Sequence, residues 1–330
     1  MTDWKIFTGD REPHDSLTQL PKAPPWRFSR TPKTLSRPEG LNLNAEAERA
    51  APFLPSEEMV IAVNAALYLR RPLLITGKPG TGKSTLIAKV AHELKLGPVV
   101  RWPISSRSTV RSGVYEYDAV GRLQAGKHEE PPVESYLKLG PLGTALMADT
   151  WPRPLLIDEI DKSDLDFAND LLNVIEEGEY EIPELRRLGK EQSEVLDFFG
   201  KKVTIPQGRL VCGQFPFVVM TSNQEREFPP PFLRRCVRLS IEPPSKGELS
   251  KIIHSHLKHY ADTLKPESVE SLISEFDSRR IENQEVATDQ LLNAVFLTVA
   301  MAGSGERTFS EKELKQLRDN LLRQLSGPAA

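Results

Sequence analysis

One stretch limits what this chain can fold into more than any other. Thr76 to Thr85 reads TGKPGTGKST, with the apolar RPLLI before it and the amphipathic LIAKVAHEL after it. A buried strand, a glycine-rich turn and a helix are implied in that order. Within it, GKPGTGKS (Gly77 to Ser84) matches the phosphate-binding pattern GxxxxGK[ST]. A chance match in a chain of 330 residues is on the order of one in a hundred. Gly77, Gly80 and Gly82 let the backbone curl so that its N–H groups face one point, with Lys78, Pro79 and Thr81 between them. The helix beginning near Lys83 and running through Thr85 adds the positive end of its dipole. Lys83 is placed to reach the β- and γ-phosphates, and the Ser84 hydroxyl to bind Mg²⁺. A plain strand-to-helix turn would need neither the lysine nor the hydroxyl there.

Hydrolysis needs more than a cradle. PLLIDEID offers a strand, Leu155 to Ile157, from which Asp158 emerges at the carboxyl edge, where α/β sheets bind ligands. Asp158 is the candidate Mg²⁺ residue, acting largely through the ion's waters, and Glu159 the candidate that polarises the attacking water. The plain alternative is an acidic turn after a core strand. Asp161 reads as a solvated or supporting carboxylate. A further strand, FPFVVMTSN, ends in Asn223, either a turn cap or a water-positioning amide if this strand lies between the first and third.

Strand-like runs at Leu73–Thr76, Val99–Ile104, Leu155–Asp158, Phe217–Asn223 and Val237–Ile241 are mostly separated by helical patterns, which predicts a parallel five-stranded α/β sheet flanked by helices. Ser56, with Glu57 and Glu58 after it, starts a helix carrying Val60, Val63 and Leu67. After Pro243 the pattern is purely helical. Capping boxes at Ser245/Glu248 and Ser310/Glu313 open two of four helices, the third carrying Leu291, Leu292, Val295, Phe296 and Val299 and the fourth Leu314, Leu317 and Leu321. The expected division is a leader over 1–50, an α/β nucleotide-binding domain over 51–243, and a helical lid with a C-terminal helix over 244–330. The leader is Pro-rich, and Lys22 to Arg37 holds basic residues and no acid. It reads as a solvated, partly ordered segment, or as an arm docking on a neighbouring subunit or acidic partner through Trp26 and Phe28.

A formal net charge of -3 gives the whole chain no strong pull on polyanions. No apolar stretch reaches the roughly 20 residues a membrane helix needs, and the first residues lack the order of a signal peptide. The two cysteines, Cys212 and Cys236, have neither metal-ligand nor redox spacing. A cytoplasmic protein is the expectation.

With these elements in hand, the chain resembles the AAA+ ATPases over about residues 56 to 305, and within them the MoxR group and the wider helix-2-insert clade. GKPGTGKS is similar to the family's Walker A motif, LLIDEID to Walker B, and VVMTSN to the strand ending in sensor 1 at Asn223. PPPFLRRCVRL resembles the segment carrying the arginine finger, which implies Arg235 in that role, with Arg234 second; a charge at a helix C-terminus is the plainer reading. SGVYEYDAVGRLQAG (112–126) and the following YLKLGPLGTALMAD resemble the clade's insert and the helix after it. LLNVIEEGEYEIP resembles the helix leading into its hairpin, over 179–210. Ser105 is a candidate to restrain the catalytic glutamate. Where the family often carries a sensor 2 arginine, this chain reads VATDQLL, leaving Arg279 or Arg280 as substitutes. The resemblance implies an ATP- and Mg²⁺-dependent ATPase that forms a homo-oligomer, a hexameric ring, and remodels an as yet unidentified protein client. A nucleic-acid-associated or GTP-using motor, or a slow-turnover scaffold, are the alternatives; no N-K-x-D motif and no basic stripe with interleaved aromatics is present.

Overall fold

The computed structural model describes residues 4–10, 12–27, 34–124, 131–260, 266–281, 286–297 and 310–322. Phe28, Ala125, Gly126, Val299 and the Leu314 side chain, all named above, lie outside what is described. The chain divides into two units: residues 1–50, 55–76 and 84–240 in the first, and 51–54, 77–83 and 241–330 in the second.

The first unit is organised on a parallel sheet. Its strands, in chain order, are β1 (Leu73–Gly77), β2 (Val100–Pro103), β3 (Tyr115–Tyr117), β4 (Leu137–Leu139), β5 (Pro154–Asp158), β6 (Glu179–Glu181), β7 (Gln192–Leu196), β8 (Lys202–Pro206), β9 (Arg209–Val211), β10 (Phe217–Ser222) and β11 (Val237–Ile241). Five of them form the main sheet, in the order β11-β1-β10-β5-β2. The late strand β10 therefore lies between β1 and β5. All six residues of β10 are buried, which is what a continuous apolar run gives when helices cover both sheet faces. Register fixes what shares the carboxyl edge. Thr76 pairs with Ser222, Met220 with Ile157, and Pro103 with Asp158. One step beyond the Met220–Ile157 pair, Thr221 meets Asp158.

The flanking helices begin and end on local signals. Ser56 Oγ accepts the Met59 N–H at 3.3 Å to open Glu57–Leu69, which closes at the left-handed Arg70. Asp164 caps Leu165–Glu177 through the Phe167 N–H, and Gly178 ends it. Both sets follow ordinary capping chemistry.

The two inserts are not separate. The 112–126 segment supplies β3, and the 179–210 segment supplies β7 and β8. Through β4 they make one four-stranded sheet, β3-β4-β7-β8, in which β4 and β7 run parallel. The second insert is closed at its base by the antiparallel pair β6–β9. Val195, Ile205, Leu210, Ile182 and Leu185 from this region belong to the main hydrophobic core.

The leader departs from a solvated segment over its described part. Ile6, Phe7 and Leu17 are buried. Asn64, fully buried in the helix Glu57–Leu69, accepts the N–H of Ile6 and Phe7 and donates to the Phe7 carbonyl. Glu93, fully buried, accepts from the N–H groups of Thr8 and Gly9 and the Thr8 hydroxyl. Composition hid this because the anchoring acceptors lie 57 to 85 residues away in sequence. Trp26 remains 76% exposed, while its neighbour Arg27 pairs with Glu176 at 3.0 Å.

In the second unit the helices Lys246–His256, Pro266–Ile281, Thr288–Val295 and Glu311–Leu321 pack around Leu249, Ile253, Val269, Leu272, Phe276, Leu291 and Val295. Both capping boxes form, at Ser245/Glu248 and at Ser310/Glu313.

Candidate nucleotide site

The loop Gly77–Lys83 carries two left-handed glycines, Gly80 at φ 74° and Gly82 at φ 83°. A side chain at Gly80 is excluded twice over. Its backbone disfavours one, and a Cβ would stand 2.7 Å from the Ala287 Cβ. Lys83, 7% exposed, donates Nζ to the carbonyls of Gly77 at 2.7 Å and Lys78 at 2.8 Å. The ammonium thus sits in the mouth of its own loop, held by neutral acceptors that a phosphate oxygen would outcompete. Thr81 Oγ1 closes the turn onto the Lys78 carbonyl.

A cavity of about 210 Å³ is lined by Lys78, Pro79 and Thr81 of the loop and by Pro243, Pro244, Phe276, Asp277, Arg280, Val286 and Thr288. Its lining separates the two arginines considered for the missing sensor 2. Arg279 is bound to the Leu322 carbonyl and to Glu275 and Asp319. Arg280 lies along the cavity, bonded to the Pro244 carbonyl at 2.9 Å and stacked on Phe276. In VATDQLL, Gln290 caps the helix by accepting the Ala287 N–H.

In the first unit the acidic residues meet at the ends of β5 and β10. Ser84, directly after Lys83, donates its hydroxyl to Asp158 Oδ1 at 2.7 Å. The same carboxylate oxygen accepts the Thr221 hydroxyl at 2.5 Å, and Thr221 Oγ1 accepts the Glu159 N–H at 2.9 Å. This hydroxyl–carboxylate pairing of Ser84 and Asp158 is an all-oxygen donor set, which suits a hard cation such as Mg²⁺. Glu159 has φ 58°, a left-handed turn that takes its side chain out of the strand's alternation. Its Oε1 accepts the Asn223 amide at 3.3 Å and its Oε2 pairs with Lys162 at 2.5 Å. That partnership holds the Lys162 ammonium above the ordinary lysine pKa.

Glu159 and Asn223 are therefore in contact, as are Ser84 and Asp158. Asp161 is not solvated: it is 3% exposed and accepts the N–H of Asn223 and of Glu225. The Ser105 hydroxyl serves a turn with Arg107 and Ser108 rather than bonding Glu159. Arg235 is held in its own chain by Glu176 at 3.3 Å and Asn173 at 3.0 Å. The Arg234 side chain is exposed, and its carbonyl accepts from Arg71. Sequence reasoning missed Thr221 and Lys162. Lys162 stands three residues after Glu159 on a short helical turn, so spacing could have found it; Thr221 carries no local signal, and only register sets it against Asp158.

The sequence profile of the family described as AAA domain (dynein-related subfamily) matches residues 72–236, half of the chain. The chain belongs to this AAA domain family. The matched span of the AAA domain runs from the residue before β1 to Cys236, and so contains the phosphate loop, the acidic strand end, Asn223 and both arginines. Among solved structures, the crystal structure of domain III from the Thermotoga maritima replication initiation protein DnaA is similar, at 17% identity and a TM-score of 0.44, covering 86% of this chain and 98% of that one. No curated protein matches the chain.

Proposed function

We propose that this AAA domain protein binds and hydrolyses ATP with Mg²⁺, and that it works as a homo-oligomeric ring, a hexamer of MoxR type, that remodels a protein client. One observation carries the hydrolytic reading: a continuous chain of hydrogen bonds runs from Ser84 through Asp158 and Thr221 to the backbone of Glu159, whose carboxylate meets Asn223. Ser84, Asp158 and the Glu159–Asn223 pair are thereby linked within the first unit.

In this reading Lys83 leaves the Gly77 and Lys78 carbonyls for the β- and γ-phosphates, joined by backbone N–H groups of the loop. Ser84 and Asp158 would hold the metal, which would offset negative charge on the phosphate oxygens. Asn223 Nδ2, bonded directly to Glu159 Oε1, orients the carboxylate toward the attacking water. Water attacks the γ-phosphorus, the bond to the ADP oxygen breaks, and Glu159 takes the proton of the water. Arg235, or Arg234 beside it, reaches the phosphate held by the next subunit, and Arg280 takes the part of the absent sensor 2 arginine. The inserts would carry motion to the client. No helix among the described residues is long and apolar enough to cross a membrane, and a cytoplasmic site of action suits the reading.

Steady-state phosphate release from ATP and from GTP, each with and without DNA, tests it. The expected result is Mg²⁺-dependent ATP turnover that DNA does not alter. A preference for GTP or a requirement for DNA would favour the nucleic-acid-associated reading, and no turnover of either nucleotide would leave only the scaffold.

A further inference from the structure

Asp161 lies in the short turn Ile160–Lys162 just after Glu159, and the hydrolytic reading gives it no part. Its surroundings do. Oδ2 accepts two backbone N–H groups, Asn223 at 2.9 Å and Glu225 at 3.1 Å, one at each end of the turn that follows β10. Between them Gln224 sits at φ 64°, a left-handed conformation that a non-glycine residue holds only when its surroundings impose it. Gln224 N–H is bonded to Ser222 Oγ, and Arg226 donates to the Ser163 carbonyl at 2.7 Å. Two short segments, 158–163 and 221–226, are thus stitched together residue by residue.

The second oxygen of Asp161, Oδ1, is buried and meets no hydrogen-bond donor among the described residues. Burying a carboxylate with one oxygen unserved is costly, and it is a poor choice if the only need is to fill the space. Its Oδ2 does something an apolar residue could not: it fixes the backbone nitrogen of Asn223, and so the origin of the side chain whose Nδ2 reaches Glu159 Oε1 at 3.3 Å. That contact is at the long end of hydrogen-bond range, so a small shift of the Asn223 backbone breaks it.

We propose that Asp161 is a positioning residue for hydrolysis, acting through the backbone of Asn223 to hold its amide against Glu159. The inference rests on the proposed roles of Asn223 and Glu159. Because the groups that hold the phosphates lie elsewhere, in Gly77–Ser84, loss of Asp161 should lower kcat and leave KM for ATP nearly unchanged. A misplacement of about 1 Å costs on the order of 10²-fold in a catalytic arrangement, so Asp161→Ala is expected to lose between about 10- and 100-fold in kcat. Asp161→Asn keeps an acceptor oxygen for both N–H groups and should recover most of that loss. Asn223→Ala and the double variant Asp161→Ala/Asn223→Ala complete a cycle. If Asp161 acts through Asn223, the double variant is no slower than Asn223→Ala alone.

The outcomes separate the two layers. Wild-type turnover in Asn223→Ala overturns the role of Asn223 itself. A slow Asn223→Ala with a fully active Asp161→Ala overturns the positioning proposal alone, as does a double variant whose losses multiply. Should Asp161→Ala fail to fold by circular dichroism, Asp161→Asn decides: kcat within threefold of wild type supports the hydrogen-bond role, and a loss as large as that of Asn223→Ala, in a folded protein that binds ATP normally, contradicts it.

Discussion

Single hydroxyls and carboxylates do the local work here. Thr221, 1% exposed, both donates to Asp158 and accepts the Glu159 N–H. Thr221→Val keeps the shape and removes both bonds, leaving a backbone donor unsatisfied. The expected stability loss is about 1–3 kcal/mol by chemical denaturation, with kcat lowered by about tenfold or more. Lys83→Ala removes a charge-assisted donor from a confined site, so titration with labelled ATP should show no binding; near-wild-type affinity would remove the phosphate-loop assignment. How far these residues were legible in the sequence depended on distance along the chain. Lys83 and Ser84 announce themselves because the loop is contiguous, and Asp158 and Glu159 because they end an apolar run. Thr221 carries no such mark. Its importance comes from register, which sets it against Asp158 across 63 residues of sequence. Of the two readings of Asp161, solvated or supporting, its burial removes the first, and sequence could not choose because the N–H groups it accepts lie in the turn after β10.

Elements that depend on local signals were legible: the Ser56, Ser245 and Ser310 caps form where the sequence places them. The joining of the two inserts was not, because β4 is only three residues long and pairs across more than fifty residues with β7. This pairing changes what a deletion would mean. Ile205 is fully buried in the main core, so Ile205→Ala should destabilise the protein by about 2–5 kcal/mol in thermal or chemical unfolding. The tip behaves differently. Phe198 and Phe199 are 36% and 41% exposed, on a turn that the buried Asp197 holds through the N–H groups of Phe199 and Lys201. Replacing both with Ser should leave the melting temperature within a few degrees of wild type and basal ATP turnover intact, while client-dependent work, once a client is known, should fall. A loss of basal turnover equal to that of Thr221→Val would show that the tip serves the chemistry.

For the whole molecule, the question is whether one chain suffices. Arg235 is bound in its own chain to Glu176 and Asn173, and Glu176 also holds Arg27 of the leader. If Arg235 is to act on a neighbour's phosphate as proposed, it must exchange these partners, which would couple it to the leader through one carboxylate. An arginine finger is worth about 10³- to 10⁵-fold in rate, and a head-to-tail interface of this kind closes into a ring or extends as a filament. Arg235→Ala should therefore bind ATP and turn it over poorly, and mixing it with Lys83→Ala protein should restore part of the activity at interfaces that pair an intact finger with an intact loop. No recovery in confirmed mixed assemblies would argue against a shared site. The central claim, that this chain hydrolyses ATP with Glu159 as the proton acceptor, is tested most directly by single-turnover hydrolysis in the Glu159→Gln variant of the full chain. The account predicts ATP bound with near-wild-type affinity and cleaved at least about 10²-fold more slowly; cleavage at the wild-type rate would contradict it.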